Sequence, residues 1–219
     1  VLLEHLEQVQ VDEDHAAGPR RFPVQWVVRP MSDEHHDYRG YAGQIAGGIW
    51  APGDEVVVLP SGLRTTVAAI DTLDGELEQA HFPQSVTVRL DTNIDVARGD
   101  MLADPAAPPV VARELEATLC WMSERPVQPG ARLAIKHTTR WARAILDEVV
   151  AVMDMDSLEE RPSADGGLQL NDIARVRLRL SEPLMVDAYA ASRHTGAFIL
   201  TDESSNDTVA AGMVISASA

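Results

Sequence analysis

Cysteine and lysine are almost absent from this sequence of 219 residues. Cys120 is the single cysteine, so an internal disulfide is excluded, as is the disulfide-built scaffold of small secreted proteins. Lys136 is the single lysine, and it follows Leu-Ala-Ile instead of a glycine-rich loop. A phosphate loop needs a lysine against the β- and γ-phosphates. The sequence therefore predicts that this chain does not bind GTP by itself.

Long apolar runs are also absent. No stretch approaches the roughly 18 residues that span a bilayer, and residues 1–9 carry Glu4 and Glu7 where a signal peptide has basic residues. We therefore expect neither a membrane anchor nor a secretory leader. Together with the single cysteine, this predicts a cytoplasmic protein.

Positive charge is scarce. The chain has 18 lysines and arginines against 34 aspartates and glutamates, a formal net charge of −16. A phosphate backbone is normally neutralised by clustered cations, so nucleic acid is a poor partner for this chain. The acidity has two remaining interpretations, which are a solvated surface and the steering of a basic partner.

The sequence does contain many short segments in which apolar and polar residues alternate, and turn residues separate these segments. The chain has 13 prolines and 14 glycines scattered between them, and the tripeptide 60–62, Pro-Ser-Gly, separates predicted strands at 56–59 and 64–70. Short strands at close spacing predict an all-β fold built from barrels. The alternating apolar positions are Val24, Trp26 and Val28; Val86, Val88 and Leu90; Leu115, Ala117, Leu119 and Trp121; and Val176, Leu178 and Leu180.

The proline-rich segment 104–109 marks the predicted boundary between two domains, because proline cannot donate to a central sheet ladder. We expect a helical remnant and linker at 1–20, a first barrel at 21–105 and a second barrel at 106–219. Residues 153–173 contain turn signals and are predicted to be a surface loop. The last two strands are expected at 196–201 and 208–215.

Three places carry side chains that suggest chemistry. The run Glu-His-His-Asp at 34–37 holds four metal-ligand types, but neighbours on extended chain point opposite ways, so an exposed polar loop is expected. Cys120 lacks a second cysteine or a catalytic histidine nearby and is expected to be a packed or edge thiol. Arg175, Arg177 and Arg179 form a basic row that either grips an acidic partner or is simply solvated.

Two sequence runs and one later segment resemble the second domain of elongation-factor-Tu-like GTPases. They are DYRGYAGQIAGG at 37–48, PGDEV at 52–56 and IDVARGDML at 94–102. In that family an R-G-x-x-G strand leads through a glycine turn to a G-D-x-V strand, where glycine permits tight turns and close backbone approach. The resemblance implies that 94–102 is the closing strand of the first barrel.

Further strings narrow the resemblance to the GTPase subunit of sulfate adenylyltransferase. It covers about residues 22–215 and implies two consecutive elongation-factor-Tu-like barrels, with residues 1–9 similar to the last helix of the family's GTPase domain. The strings are WMSE at 121–124, KHTTR at 136–140, LNDIARV at 170–176, DAY at 187–189, RHTGAFILTD at 193–202 and NDTVAAGM at 206–213.

This resemblance implies a coupling role without catalytic chemistry in the chain itself. GTP and Mg²⁺ would bind an upstream GTPase domain, ATP would bind a small catalytic subunit, and in some members an adenylylsulfate kinase domain follows. GTP hydrolysis would be coupled to formation of adenylylsulfate and pyrophosphate from ATP and sulfate. No catalytic, cofactor-binding or metal-binding residue maps onto this chain. Arg39, Arg175, Arg177 and Arg179 are the candidate partner-interface residues.

Two alternatives remain open at this point. The first is an elongation-factor relative whose barrels hold tRNA, and the net charge of −16 argues against it. The second is an independent enzyme, which is disfavoured because the sequence shows no nucleophile–base or metal constellation.

Overall fold

A computed structural model describes residues 18–30, 38–163 and 166–219, together with Leu3. Within these ranges the chain forms sixteen strands and one helix of four residues, so the all-β prediction is confirmed. The predicted helix at 1–9, apart from Leu3, and the polar run at 34–37 lie outside the described residues. No helix in the described part is long and apolar enough to cross a membrane.

The first barrel contains nine strands, of which six close on themselves. The closed order is β4-β9-β1-β2-β8-β5, and β5 pairs back with β4. Closure leaves no free edge between these six strands. The strands are β1 (Arg21–Val28), β2 (Gly40–Gln44), β3 (Ile49–Trp50), β4 (Glu55–Leu59), β5 (Leu63–Thr72), β6 (Gly75–Glu76), β7 (Ala80–His81), β8 (Ser85–Leu90) and β9 (Met101–Ala103).

The interior of the first barrel is filled by aromatic and branched side chains. Phe22 and Trp50 are fully buried with ring centroids 5.8 Å apart, a separation at which tilted aromatic pairs attract. The Trp50 indole nitrogen donates to the Gly47 carbonyl at 3.0 Å, so its polar atom is satisfied inside the core.

The second barrel is also closed by six strands, in the order β11-β15-β16-β10-β14-β12, with β12 pairing back to β11. Its interior holds the predicted apolar sets of β10 and β14, while the arginines between them face outward. Its elements are β10 (Val110–Trp121), β11 (Arg132–His137), β12 (Arg140–Met153), β13 (Glu160–Arg161), β14 (Ile173–Val186), α1 (Arg193–Gly196), β15 (Ala197–Thr201) and β16 (Thr208–Ser218).

Three local predictions are wrong. Trp26 does not share a face with the buried Val24, because the β1–β2 register shifts between them and leaves Trp26 63% exposed. Residues 94–102 are not one closing strand, since only the last part enters β9. The segment 153–173 is not purely a loop, because β13 pairs with the end of β12 and Leu168 is fully buried.

Candidate functional site at the barrel junction

The two barrels meet along an apolar seam. Val57, Leu59, Met101 and Ala103 of the first barrel form one buried cluster with Met185 of the second. The strands β4 and β9 supply these side chains from the face opposite their core-facing residues. Burial of this apolar surface favours contact between the barrels.

A buried ion pair crosses the same junction. Arg21, at the start of β1, is only 3% exposed, and its Nε and Nη2 donate to the two carboxylate oxygens of Asp187, each at 2.9 Å. Asp187 directly follows β14 in the second barrel. Bidentate pairing of this kind is strong and directional. It therefore fixes the relative orientation of the two barrels as well as their contact.

Asp187 is also held from within its own barrel. The Thr195 hydroxyl donates to Asp187 Oδ2 at 2.6 Å, and Ser192 caps the short helix that carries Thr195. Burial raises the pKa of the Asp187 carboxyl, but hydrogen bonds from Arg21 and Thr195 outweigh that effect and lower the pKa overall. The carboxylate therefore stays ionised at neutral pH.

His137 continues this chain of contacts into the second barrel. It is fully buried, and its Nε2 donates to the Thr195 carbonyl oxygen at 2.8 Å. Its Nδ1 has no hydrogen-bond partner among the described residues. Burial lowers the pKa of the imidazole, although the Thr195 carbonyl and Asp187 oppose this. At neutral pH His137 is therefore uncharged in the folded protein, and it supports the peptide that carries Thr195.

A second polar contact joins the barrels at another point. Arg140 of β12 donates to Asp100, which precedes β9, and to Glu182, each at 3.3 Å. Gly99 packs against Arg140, and a Cβ atom at this glycine would lie 3.3 Å from the Arg140 backbone. The rings of Phe82 and His194 also meet across the junction with centroids 4.6 Å apart. The junction is thus held at several separate points.

An open cleft of about 800 Å³ borders the junction. It is lined by residues of β1, β2, β5 and β8, by Thr138 and Thr139 of the second barrel, and by His194. Tyr38 lines it as well, and burial together with a 2.8 Å hydrogen bond to Asp71 raises the pKa of Tyr38 to about 12. Tyr38 therefore stays protonated at neutral pH and does not act there as a base. The described residues contain no cluster of His, Cys, Asp and Glu that could hold a metal ion.

The predicted interface arginines fall into two groups, with Arg39 in the first barrel and the row Arg175, Arg177 and Arg179 on β14 of the second. Arg39 is in the first barrel, where it binds Asn93 and, at 3.1 Å, Asp95. The row on β14 does face outward as predicted, but each of its members meets a carboxylate on a neighbouring strand. These ion pairs are Arg175 with Glu116 and Glu160, Arg177 with Glu148 and Glu116, and Arg179 with Asp147.

Sequence reasoning did not identify Arg21, His137, Asp187 and Thr195 as a unit. Arg21 and Asp187 are 166 positions apart, and nothing in the local pattern links them. The available signal was the family resemblance, since three of the four residues lie inside the strings that carry it. Those strings indicate the family, but they do not indicate which residues contact one another.

Comparison with known proteins shows relatives along almost the whole chain. The family described as GTP-eEF1A C-terminal domain-like matches residues 114–215. The bifunctional enzyme CysN/CysC of Mycobacterium tuberculosis is 45% identical over 215 residues, which are 98% of this chain and 35% of that protein. Sulfate adenylyltransferase subunit 1 of Shewanella oneidensis is 44% identical over 218 residues, or 98% of this chain and 44% of the relative.

The corresponding subunit of Bacteroides thetaiotaomicron is 43% identical over 222 residues, again 98% of this chain and 45% of the relative. This chain therefore spans less than half the length of these curated relatives. Among solved structures, sup35 complexed with GDP matches all of this chain and 52% of that one, with a TM-score of 0.82 and 18% sequence identity. That likeness shows the fold alone. The identity to the subunits is much higher, and it shows that the chain belongs to the sulfate adenylyltransferase subunit 1 family.

Proposed function

We propose that this chain is the two-barrel part of a sulfate adenylyltransferase large subunit. In this proposal it couples GTP hydrolysis in an upstream GTPase domain to formation of adenylylsulfate and pyrophosphate from ATP and sulfate on a small catalytic subunit. The observation that carries the proposal is the identity of 43–45% to subunits of that family over 98% of the chain. The same identity favours this role over tRNA binding, as does the charge of −16.

The nucleotides bind outside this chain in the proposal. GTP with Mg²⁺ belongs to the upstream domain and ATP to the partner subunit, and the complex works in the cytoplasm. One relative is named as the bifunctional enzyme CysN/CysC, which supports a further fused unit that we assign to an adenylylsulfate kinase domain. The role of the chain in this assembly is mechanical, because it transmits the orientation of one domain to another.

Coupling of this kind needs an element that moves as one body between two states. The junction supports that role, since an apolar seam, the Arg21–Asp187 pair and the Arg140–Asp100 contact join the barrels. We propose residues 21–105 and 106–219 as two folding units that reorient together when the nucleotide state changes. The proline-rich segment at 104–109 is the covalent link between them.

Arg39, Arg175, Arg177 and Arg179 remain candidates for the surface that meets the partner subunit. The ion pairs of Arg177 and Arg179 are exposed, and this supports the proposal, because an exposed pair stabilises the fold by only about 0 to 1 kcal/mol and is easily exchanged. A partner carboxylate would take the place of Glu116, Glu148 or Asp147 beside the row.

The decisive experiment compares two partners under the same ionic strength. The chain is mixed with the small catalytic subunit and assayed by pull-down, and in parallel it is titrated against tRNA in a gel-shift assay. We expect capture of the subunit and no shift of tRNA. A tRNA complex without any capture of the subunit would refute the proposed function.

A calorimetric titration tests where GTP binds. The single lysine, Lys136, lies in β11 and has no glycine-rich loop before it. We therefore predict no saturable heat of GTP binding to this chain. Micromolar affinity would contradict the assignment of GTP to the upstream domain. A preparation of the longer subunit, which should bind GTP, is the positive control.

A further inference from the structure

An arginine-rich groove lies on the outside of the second barrel. Its volume is about 680 Å³, and it is lined by four arginines from four different strands and by two glutamates. In a chain with a net charge of −16, this concentration of cations in one place is unusual. The arginines are Arg113, Arg132, Arg143 and Arg179, and the glutamates are Glu114 and Glu203.

Strand register explains how these residues meet. Arg132 of β11 is opposite Ile145 of β12, Ile145 is opposite Arg179 of β14, and Arg179 is opposite Glu114 of β10. These residues thus form one row across four strands. The β10–β14 register shifts between Ala112 and Glu114, and a bulge of this kind re-aims side chains. Arg113 and Glu114 are consequently both exposed.

Two of the arginines are already neutralised. Arg143 pairs with Glu203 at 3.0 Å, and Arg179 pairs with Asp147 at 2.8 Å. Among the described residues, the Arg113 side chain donates only to the Ser181 carbonyl oxygen, at 2.6 Å. No hydrogen bond or ion pair involves the Arg132 side chain within the described residues. Within the part of the chain that the structure describes, the groove therefore presents two guanidinium groups without a carboxylate partner.

We propose that this groove binds a short, extended, acidic segment of a partner protein. Neighbouring strands are about 4.8 Å apart, so the row from β11 to β10 measures about 14 Å. An extended segment of four or five residues covers that distance. Its carboxylates pair with Arg113 and Arg132, since guanidinium groups bind carboxylates in a planar, two-point geometry. The half-buried Ile145 side chain lies between them and contacts the apolar part of the segment.

The negative charge on the rest of the molecule favours binding of a short acidic segment over a long polyanion. At physiological salt, exposed charges interact over about 8 Å. A short acidic segment inside the groove therefore meets mainly arginines. A long polyanion such as RNA extends beyond the groove onto the rest of the acidic molecule, where it is repelled. Net charge thus opposes nucleic acid without opposing an acidic peptide.

The test uses a short fluorescein-labelled peptide of alternating glutamate and serine and the 219-residue chain at low ionic strength. Fluorescence anisotropy should show binding that weakens as salt is added. The variant Arg113→Glu with Arg132→Glu should bind at least about tenfold more weakly. The matched control is Arg64→Glu with Arg98→Glu, the same charge change at two exposed arginines of the first barrel, and it should bind almost as well as the unmodified chain.

Four outcomes would overturn the proposal. They are no binding by the unmodified chain, equal weakening in both variants, complete displacement of the peptide by millimolar inorganic phosphate, and tRNA binding that depends on Arg113 and Arg132. Circular dichroism of each variant separates loss of binding from loss of fold. The peptide contains no part of sulfate adenylyltransferase, so this result is independent of the pull-down experiment.

Discussion

Single residues at the junction carry charges that water reaches poorly. Arg21 is 3% exposed and Asp187 is 16% exposed, whereas Arg177 and Glu148 on the outer surface are 55% and 50% exposed. A buried charge that loses its partner remains desolvated without compensation, while an exposed one is solvated instead. Ion pairs with similar nitrogen–oxygen distances therefore contribute very differently to the free energy of unfolding.

Replacement of Asp187 by alanine is expected to lower the free energy of unfolding by about 3 to 5 kcal/mol, because Arg21 would remain buried and unpaired. Urea denaturation followed by circular dichroism measures the change. Glu148→Ala, which removes the nearer of the two carboxylate partners of Arg177, is the control and should cost about 0 to 1 kcal/mol. Equal decreases in the free energy of unfolding in the two variants would show that the junction pair stabilises the fold no more than the exposed pair does.

His137 makes stability depend on pH with a definite sign. Burial lowers the pKa of the folded imidazole below its ordinary value of 6.5. The unfolded chain therefore takes up a proton first as pH falls, and the stabilisation present above about pH 6.5 is lost below it. The maximum slope for one such group is about 1.4 kcal/mol per pH unit.

We predict that the stability difference between the unmodified chain and His137→Asn shrinks as pH is lowered from neutrality towards about 5. Chemical denaturation at a series of pH values measures this difference. His81→Asn, at an exposed histidine of β7, is the control and should show a much smaller change. A difference that stays constant across this range would contradict a buried neutral imidazole.

At the level of strands, glycines set how closely neighbouring backbones approach. A Cβ atom at Gly43 would lie 2.5 Å from the Pro23 carbonyl oxygen on β1, and one at Gly40 would lie 2.4 Å from the Thr87 methyl group. The first clash is with rigid backbone and the second with the end of a side chain. The close backbone approach expected from the R-G-x-x-G resemblance is thus confirmed at Gly43, whereas Gly40 makes room for side chains.

Gly43→Ala should destabilise the chain by roughly 1 to 3 kcal/mol, since β1 and β2 must move apart. Gly40→Ala should cost less, because the Thr87 side chain is able to turn away. Gly18→Ala, where nothing lies within 4 Å, serves as the control. Thermal unfolding of the three variants gives the order directly, and a Gly43 variant as stable as the Gly18 variant would refute the packing argument.

Across the whole molecule, each barrel has its own buried core, and a third, smaller cluster joins them. We predict that residues 106–219 fold alone into the second barrel but unfold at a lower temperature than in the complete chain. Separation exposes Met185 and removes Arg21 from Asp187. Circular dichroism and amide-proton NMR dispersion test this. A soluble but unfolded 106–219 would refute the proposed division into two units.

Much of the fold was predictable from sequence because it depends on local patterns. Alternation of period two identified the β8, β10 and β14 cores, and turn residues separated β4 from β5. The same rule failed at Trp26, where a register shift reverses the side-chain direction. A bulge depends on the partner strand, so a single strand's sequence does not reveal it.

The sequence by itself determined the strand content, the outward direction of the β14 arginines and the family. Only the tertiary structure decided what those side chains meet. Pairing of β14 with β10 and β12 placed carboxylates beside Arg175, Arg177 and Arg179, and docking of the barrels brought Arg21 to Asp187. The groove arginines likewise meet through cross-strand register. The physical reason is that periodicity sets which way a side chain points, whereas register and docking set its neighbours across long sequence separations.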